Sequence, residues 1–314
     1  MKTSSISKIP CLLACLLACL LLSVVTSAGN LHSDPQNPTT QTEVPLADPF
    51  ILLDGDTYYA YGTHSPNGIM VFTSNDLIHW QEAGLALHRD STTETRWFWA
   101  PEVYRRGDIY YMFYSANEHL YMATATSPTG PFRQQGGLLM QELIGDEKCI
   151  DSSVFFDSDG RAYLYFVRFT DGNFIWMCDL DNELHPLPGT LRPCFGVTEP
   201  WELKQARVAE GPFVVKHKDV YYLTYSANHY ESQDYAVGYA TSTSPHGPWT
   251  KSKTNPILHR HRGLAGTGHH SLFTDKRGHL HIVYHAHHSS TDIHPRMMHI
   301  AEARFRKDKL TVKK

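Results

Sequence analysis

Short apolar runs alternate with polar turns along most of the chain, and they recur in one order. Five segments share this order, at residues 47–64, 100–117, 151–169, 210–228 and 268–288. Each begins with a small or acidic residue and an apolar run, passes through a tight polar turn, and returns in a run rich in Tyr, Phe and other β-formers. Alternation with a period of two, broken by turns such as Asp-Gly-Asp at residues 54–56, predicts a β-hairpin in each segment.

Further strand-like runs follow the hairpins and are in phase with them. Residues 69–80, 120–132 and 235–249 are of this kind, and the last two end in the similar sequences SPTGPF and SPHGPW. The hairpins recur about every 50–60 residues, which is close to the length of a propeller blade of four antiparallel strands. The pattern predicts an all-β chain folded as a five-bladed β-propeller. A β-sandwich is the alternative, but repeats in phase favour radial symmetry.

The N-terminal region does not share this pattern. Lys2 and Lys8 precede an apolar block at residues 11–25, and small residues follow it up to Ala28. This order is typical of a secretory signal peptide, and the block is shorter than the roughly 20 apolar residues that span a membrane. We therefore predict a signal peptide at 1–28, a flexible polar leader at 29–43 and a single five-bladed propeller domain at 44–314.

A second kind of export signal is also present in the apolar block. Residues 16–19 (Leu-Leu-Ala-Cys) resemble a bacterial lipobox, in which the Cys becomes a lipidated N-terminus, and residues 12–15 have the same sequence. Lipid attachment at Cys19 or Cys15 is thus the alternative to cleavage near Ala28. Both alternatives predict an exported protein that is periplasmic, secreted or anchored by lipid at the cell surface.

Charge and cysteine content narrow the class of protein. The formal net charge of −4 becomes −6 when the segment with Lys2 and Lys8 is removed, and no basic stripe suggests a nucleic-acid partner. Three of the six cysteines lie in the predicted signal peptide, which leaves Cys149, Cys178 and Cys194. Three cysteines cannot all pair, so the chain is not a disulfide scaffold, although one bridge is open.

Acidic residues stand at the start of several hairpins. The innermost strand of each propeller blade lines the central axis, so Asp48, Asp151, Glu210 and His269 are expected to converge there. Burying a carboxylate is costly unless it is paired, and acids that share a pocket raise one another's pKa values. Such a pocket can keep one carboxyl protonated beside an ionised one. Each acid taken singly could instead cap a turn, but three acids at matching repeat positions favour catalysis.

Five short motifs surround these positions. They are Ala47-Asp48-Pro49, Trp99-Ala100-Pro101, Ile150-Asp151-Ser152, Glu210-Gly211-Pro212 and Gly266-Thr267-Gly268-His269. Their joint occurrence in this order is specific, although each tripeptide alone is weak, and it resembles glycoside hydrolase family 43 from about Val44 to about Phe305. The resemblance implies a five-bladed β-propeller that hydrolyses arabinose- or xylose-containing glycans, as α-L-arabinofuranosidases and β-xylosidases do.

The resemblance implies a role for each matched residue. Asp48 corresponds to the general base and Glu210 to the general acid, while Asp151 would orient Glu210 and tune its pKa. The other three are implied in substrate binding: Trp99 in the pocket wall, His269 on the axis near a calcium ion or a water, and Arg296 reaching the sugar. Trp97 and Phe98, next to Trp99, are further candidates for stacking on a sugar.

An inverting mechanism also follows from the resemblance. Glu210 would protonate the leaving oxygen while Asp48 deprotonates a water on the opposite face, with the two carboxyls about 6.5–9.5 Å apart to leave room for that water. This chemistry requires no cofactor and no nucleophilic residue. A structural calcium near His269 stays open, because calcium takes six or more oxygens and one His does not make such a site.

The His-rich run at residues 279–288 could suggest zinc. A zinc hydrolase needs three protein ligands and an open position, and the phase of the repeat places this run on a second or third strand, away from the axis. We therefore predict that these histidines are polar strand-face or packing residues.

The predicted activity is release of a pentose, α-L-arabinofuranose first, from a plant-type polysaccharide or its oligosaccharides. A β-xylosidase, an endo-arabinanase or a galactan-active enzyme of the same fold is the alternative. A non-catalytic propeller that binds glycan is an alternative of another class. The sequence does not fix the sugar, because specificity depends on the loops between blades.

Overall fold

The computed structural model describes residues 42–313 of the 314-residue chain. The predicted signal peptide, with Cys15 and Cys19, and the predicted leader up to residue 41 lie outside the described residues. No helix in the described part is long and apolar enough to cross a membrane.

The described chain forms five antiparallel sheets, each built mainly from four consecutive strands. The first blade contains β1 (Ala47–Asp54), β2 (Thr57–Thr63), β3 (Gly68–Ser74) and β4 (Gln81–His88). The second contains β5 (Trp99–Arg106), β6 (Ile109–Ala116), β7 (His119–Ala125) and β8 (Arg133–Gln135). The third contains β9 (Cys149–Phe156), β10 (Ala162–Phe169), β11 (Asn173–Leu180) and β12 (Arg192–Phe195).

The last two blades follow the same order. The fourth contains β13 (Ala209–His217), β14 (Val220–Ala227), β15 (Ala236–Ser242) and β16 (Thr250–Lys251), with β17 (Leu258–His259) also paired to β15. The fifth contains β18 (Gly268–Thr274), β19 (Leu280–Ala286), β20 (Met297–Arg306) and β21 (Lys309–Val312). The short helices are α1 (Gln141–Ile144) and 3-10 turns at Arg89–Ser91, Pro200–Glu202 and His261–Gly263. The prediction of a five-bladed β-propeller is confirmed.

The hairpins form where the polar turns predicted them. In the first blade Asp54 pairs with Thr57 across a two-residue turn, and Gly55 in that turn has a φ of 58°. Glycine suits this position because other residues rarely adopt a positive φ. The turns lie at the end of each blade opposite to Asp48 and its counterparts, so they leave the face with the acidic residues free.

The apolar core is divided among the junctions between neighbouring blades. Each junction holds one cluster of buried aromatic and aliphatic side chains, and burial of each such side chain contributes about 1.5–3 kcal/mol. Representative members in ring order are Phe50, Tyr61 and Tyr114; Phe113, Leu164 and Phe166; Tyr163, Tyr165 and Leu223; Tyr222, Tyr239 and Tyr284; and Tyr58, Phe273 and Val283. The ring is closed where the carbonyl of Val44 accepts a hydrogen bond of 2.9 Å from the Met298 amide in the fifth blade.

Every inner strand has a bulge near its start. One residue there adopts a left-handed backbone conformation, and the register to the second strand shifts beside it. The five residues are Asp48 (φ 50°), Ala100 (43°), Asp151 (58°), Gly211 (54°) and His269 (39°). This conformation costs a non-glycine residue about 1–2 kcal/mol, and bulges of this kind re-aim side chains beside active sites.

The bulges correct one expectation from the sequence. In the fourth blade the left-handed residue is Gly211, so Glu210 stands one residue earlier than Asp48 and Asp151 do in their blades. The expectation that the three acids occupy matching repeat positions is therefore wrong for Glu210, which corresponds to Ile150 and Gly268 in the neighbouring blades. A shift of one residue turns a strand side chain to a different direction.

The cysteines after the predicted signal peptide are free. Cys149 and Cys178 are buried, Cys194 is partly buried, and none of the three forms a disulfide. The bridge left open by the sequence is not formed, and the described chain is held together by its blade junctions.

Candidate active site

A cavity of about 280 Å³ lies at the face where the inner strands begin. It brings together all six residues that the sequence singled out: Asp48, Asp151, Glu210, Trp99, His269 and Arg296. The inner strands of the five blades contribute five of them, including Trp99, which begins β5. The sixth, Arg296, directly precedes β20.

Asp48 is surrounded by basic side chains. Its carboxylate Oδ1 lies 2.8 Å from Arg296 Nη1, 3.2 Å from His269 Nδ1 and 3.3 Å from His285 Nδ1. The side chain is only 7% exposed. Burial raises the pKa of Asp48, but Arg296 and the two histidines outweigh it and hold the pKa well below its usual range.

The two histidines near Asp48 are harder to protonate than usual. Burial lowers the pKa of His269, and it lowers the pKa of His285 to about 3. Arg296 is therefore the positive charge that balances Asp48, and the pair favours an ionised carboxylate that can act as a base.

Arg296 is itself held by an aromatic ring. Its guanidinium carbon lies 4.6 Å from the ring centre of Tyr230, which is within the range of a cation–π contact. The Tyr230 carbonyl accepts a hydrogen bond from His287 Nε2 at 2.8 Å. Tyr230 lies in the loop between β14 and β15 and lines the cavity; sequence reasoning did not identify it.

Glu210 has neutral neighbours instead. Its Oε1 accepts a hydrogen bond from the Tyr235 hydroxyl at 2.8 Å, and its Oε2 accepts one from Asn173 Nδ2 at 2.8 Å. No Lys, Arg or His within residues 42–313 forms an ion pair with this carboxyl, which is 9% exposed. Burial raises the pKa of Glu210 to about 7, with the charge of Asp48 adding to it and the two hydrogen bonds opposing it.

Asp151 contacts the acid through the backbone. Its Oδ2 accepts a hydrogen bond of 3.1 Å from the amide of Gly211, the residue after Glu210. Burial raises the pKa of Asp151 well above its usual value, and the nearby charges of Glu210 and Asp48 raise it further. Asp151 thus fixes the backbone next to Glu210, and no direct hydrogen bond joins the two carboxyls in the described chain.

The Gly211 amide has a different kind of hydrogen-bond partner from the matching amides in the other four blades. In those blades the amide of the left-handed residue donates to a side chain at the end of the second strand of the preceding blade. The pairs are Ala100 with Thr63 (3.0 Å), Asp151 with Ser115 (3.0 Å), His269 with Ser226 (2.8 Å) and Asp48 with His285 (3.2 Å). In the blade that precedes Gly211, the residue at this place is Val167, which pairs with Ile150. Its side chain has no polar atom. The Gly211 amide is therefore free to bind Asp151.

The cavity wall at the second blade is aromatic. The Trp99 ring stacks on Trp97 with ring centres 5.6 Å apart and an angle of 15° between the planes. The Arg96 guanidinium carbon lies 4.2 Å from the centre of the Trp97 ring, and Arg96 Nε donates to Asn117 Oδ1 at 2.9 Å. Phe98, a candidate from the sequence, is buried in the core beside Tyr114, so the expectation that it could contact a sugar is wrong.

The His-rich run at residues 279–288 was expected to lie away from the axis, and this is true of only some of its histidines. His279 and His281 contact Asp275, at 3.5 and 3.0 Å, and no group of three or more potential metal ligands occurs in the described part of the chain. His285, however, touches Asp48, so the expectation that the whole run lies away from the axis is wrong for this residue. His285 pairs directly with Gly268, because the open end of the β18–β19 hairpin faces the cavity.

The donors near His269 fit a calcium ion poorly. Calcium takes six to eight oxygen ligands, whereas the narrow space on the axis below the acids measures about 10 Å³. Three carboxyls of the described chain line it: Asp48 is paired with Arg296, and burial raises the pKa of Glu102 to about 8 and that of Asp151 well above its usual value.

Comparison with known proteins gives a family match. The model of "Glycosyl hydrolases family 43" matches residues 35–310. A crystal structure titled endo-1,4-β-xylanase from Bacteroides thetaiotaomicron is 44% identical, with a TM-score of 0.83 over 87% of this chain and 95% of that chain.

Curated relatives are less similar in sequence. A probable arabinan endo-1,5-α-L-arabinosidase B of Aspergillus fumigatus is 27% identical over 81% of this chain and 82% of that protein. An extracellular endo-α-(1→5)-L-arabinanase of Bacillus subtilis is 26% identical over 72% of this chain and 54% of that protein.

Proposed function

Because the chain belongs to glycoside hydrolase family 43, we propose that it hydrolyses pentosidic bonds with inversion of configuration. One observation carries this proposal: two buried carboxyls in the same cavity have opposite kinds of partner, a guanidinium for Asp48 and two neutral donors for Glu210. Arg296 lowers the pKa of Asp48 well below its usual range, whereas burial raises the pKa of Glu210 to about 7. A general base and a general acid are thus both ready near neutral pH.

The reaction is a single displacement. Glu210 donates its proton to the glycosidic oxygen as the bond from that oxygen to the anomeric carbon breaks. A water attacks the anomeric carbon from the opposite side and gives its proton to Asp48. Asp48 then releases its proton to solvent and Glu210 takes one up, which restores the enzyme. The products are the freed sugar and the shortened glycan or alcohol.

The positions of the two carboxyls support this assignment. Asp48 stands on the first blade and Glu210 on the fourth, so the two acids approach the cavity from non-adjacent blades. An inverting enzyme needs a separation of about 6.5–9.5 Å between these carboxyls for the attacking water. Asp151 on the third blade fixes the backbone beside the acid, and Trp99 supplies an apolar wall for the C–H face of a sugar.

We propose α-L-arabinofuranose as the sugar released. The arabinan-active names of the two curated relatives support this choice. A β-1,4-linked xyloside is the second candidate, and the solved structure at 44% identity, which is titled a xylanase, favours it. We also propose that the protein is exported, which agrees with the N-terminal signal pattern and with the extracellular name of the Bacillus subtilis relative.

The test is hydrolysis of a panel of aryl glycosides by the wild type and by two variants. The panel contains an α-L-arabinofuranoside, a β-D-xyloside and a galactoside. We expect Glu210→Ala and Asp48→Ala each to lower kcat by about 10²–10⁴-fold, the usual contribution of a general acid or base. Proton NMR should show that the first anomer released has the inverted configuration.

Glu302→Ala is the matched control, because Glu302 is an acid outside the cavity that is paired with Lys313 at 2.8 Å. Its turnover should equal that of the wild type. Full turnover in either cavity variant would refute the assignment. Glycan binding without any cleavage by the wild type would identify a non-catalytic propeller instead.

A further inference from the structure

A large aromatic side chain stands exposed at the mouth of the cavity. Phe169 is the last residue of β10 and lines the cavity, and 44% of its surface is exposed. The proposed reaction assigns it no role. Single exposed apolar residues are common on protein surfaces. Phe169 differs because its backbone is fixed and because it stands beside Glu210.

The backbone around Phe169 is fixed. The turn to β11 runs through Gly172, where a Cβ would lie 2.0 Å from the Arg207 carbonyl oxygen. That same carbonyl accepts a hydrogen bond of 3.0 Å from the Asn173 amide, and Asn173 also forms a β-bridge with Val208. The tip of this hairpin therefore packs against the segment that leads into Glu210, and it presents Phe169 as a rigid surface.

Phe169 stands on the acid side of the cavity. It pairs directly with Asn173 in the β10–β11 hairpin, and side chains of directly paired residues lie on the same face with Cβ atoms about 4.5–5.5 Å apart. Asn173 is the residue whose amide binds the Glu210 carboxyl at 2.8 Å. The ring is thus a close neighbour of the group that protonates the leaving oxygen, whereas Arg296 and Tyr230 stand with Asp48.

We propose that Phe169 is the platform of a leaving-group subsite, which binds the apolar face of the sugar residue released from the pentosyl unit. This inference rests on the proposed function, because that assigns Glu210 to the leaving oxygen. A sugar presents C–H groups on one face, and a Phe ring can cover that face without any polar group to satisfy. The subsite selects for glycan chains over substrates whose leaving group is too small to cover the ring.

The matched control lies at the other end of the same strand pair. Phe156 ends β9, is 37% exposed, and pairs with Ala162 at the start of β10. It therefore has the same residue type and similar exposure, but it lies on the face opposite to the cavity. Phe169→Ala and Phe156→Ala remove the same group from the two ends of one hairpin.

The experiment measures kcat/KM for β-1,4-linked xylo-oligosaccharides and α-1,5-linked arabino-oligosaccharides of two to five units. We expect Phe169→Ala to lower kcat/KM about ten-fold in the series that the wild type cleaves, which is the size expected for loss of one buried aromatic contact. Phe156→Ala should equal the wild type, and Phe169→Trp should retain most of the activity. Inhibition by the free pentose should be unchanged, because the pentose binds beside Asp48.

Titration calorimetry with the same oligosaccharides, carried out in the Glu210→Ala background, makes the comparison without turnover. Weaker binding after Phe169→Ala, together with no hydrolysis by the wild type, would refute the proposed function and leave Phe169 as a glycan-binding platform without a leaving-group role. Equal oligosaccharide affinity with and without Phe169→Ala would overturn the subsite. A matching loss of pentose inhibition in Phe169→Ala would also overturn it, since the substitution would then have disturbed the whole cavity.

Discussion

Asp48 and Glu210 are buried to nearly the same extent, yet their pKa values shift in opposite directions. Asp48 is 7% exposed and Glu210 is 9% exposed, so desolvation favours the neutral form of both. The difference lies in their neighbours: a guanidinium pairs with Asp48 at 2.8 Å, while a phenol and an amide bind Glu210. Burial raises the pKa of both carboxyls. The positive charge of Arg296 lowers the pKa of Asp48 again, whereas the neutral partners of Glu210 do not cancel the effect of burial.

The partners also come from different parts of the chain. Arg296 reaches Asp48 from the last blade, 248 residues away in sequence. Asn173 and Tyr235 reach Glu210 from the third and fourth blades, 37 and 25 residues away. The base half of the site therefore depends on closure of the ring, whereas the acid half is assembled from neighbouring segments.

The largest effect is expected from removing the cation. Arg296→Met leaves Asp48 buried without its partner, which costs about 3–5 kcal/mol in comparable buried pairs. The pKa of Asp48 then rises, so the base is protonated at higher pH and the acid limb of kcat/KM moves upward. We expect kcat/KM near neutral pH to fall by about two orders of magnitude, the lower part of the usual contribution of a general base, and Tm to fall because of the lost pairing.

Arg161→Met is the control for Arg296→Met. Arg161 is an exposed residue in a turn at the opposite face and is paired with Asp159 at 2.5 Å, and exposed pairs contribute about 0–1 kcal/mol. Its pH profile and Tm should match those of the wild type. An unmoved acid limb in Arg296→Met would show that Arg296 does not set the charge of Asp48.

A smaller effect is expected from removing the Tyr235 hydroxyl, one of the two neutral groups that donate a hydrogen bond to Glu210. Tyr235→Phe deletes the hydroxyl that binds Glu210 Oε1 at 2.8 Å, and this hydrogen bond favours the ionised carboxyl. Without it the pKa of Glu210 rises above about 7, so the acid stays protonated to higher pH. The alkaline limb of kcat/KM should move upward by up to about one pH unit, since a hydrogen bond contributes about 1 kcal/mol.

We expect kcat to fall about ten-fold in Tyr235→Phe, because Glu210 loses one of its two orienting contacts and a bond of this kind contributes about 1 kcal/mol or more. Tyr239→Phe, at a buried tyrosine on β15 that does not line the cavity, should leave both limbs in place. If the two variants lost stability alike and kept the wild-type profile, Tyr235 would be a packing residue only.

The smallest effect is expected at Val167, which lacks the polar side chain found at this position in the other blades. Val167→Thr places a hydroxyl where Ser115 and Thr63 carry one in their blades, so it competes with Asp151 for the Gly211 amide. We expect kcat/KM to fall by about three- to ten-fold, because a redirected hydrogen bond is worth about 1 kcal/mol. Tm should change little, since the new hydroxyl finds a partner.

Val167→Ala separates this effect from a loss of packing. It removes volume from a fully buried position without adding a polar atom, so it should lower Tm more than Val167→Thr does and leave kcat/KM closer to the wild type. The reverse order of activities would show that the Asp151 contact with Gly211 does not matter for the reaction.

Much of the fold and part of the site could be read from local pattern. The five hairpins follow from alternation and turn residues, and Asp48, Asp151, Glu210, Trp99, His269 and Arg296 do line one cavity. His285 was missed because its run was assigned to a strand away from the axis. Asn173 and Tyr235 were missed because nothing in their local sequence shows that they reach Glu210.

The sequence by itself determined the number of blades, the strands within them and the acids at their inner ends, because periodicity and turn chemistry act over a few residues. Only the tertiary structure decided why the pKa values of the two carboxyls shift in opposite directions. That difference depends on a cation from the last blade and on the bulge that places Glu210 one residue out of phase. A local pattern shows neither of them, because the cation is 248 residues from Asp48 in sequence and the bulge depends on how β13 pairs with β14.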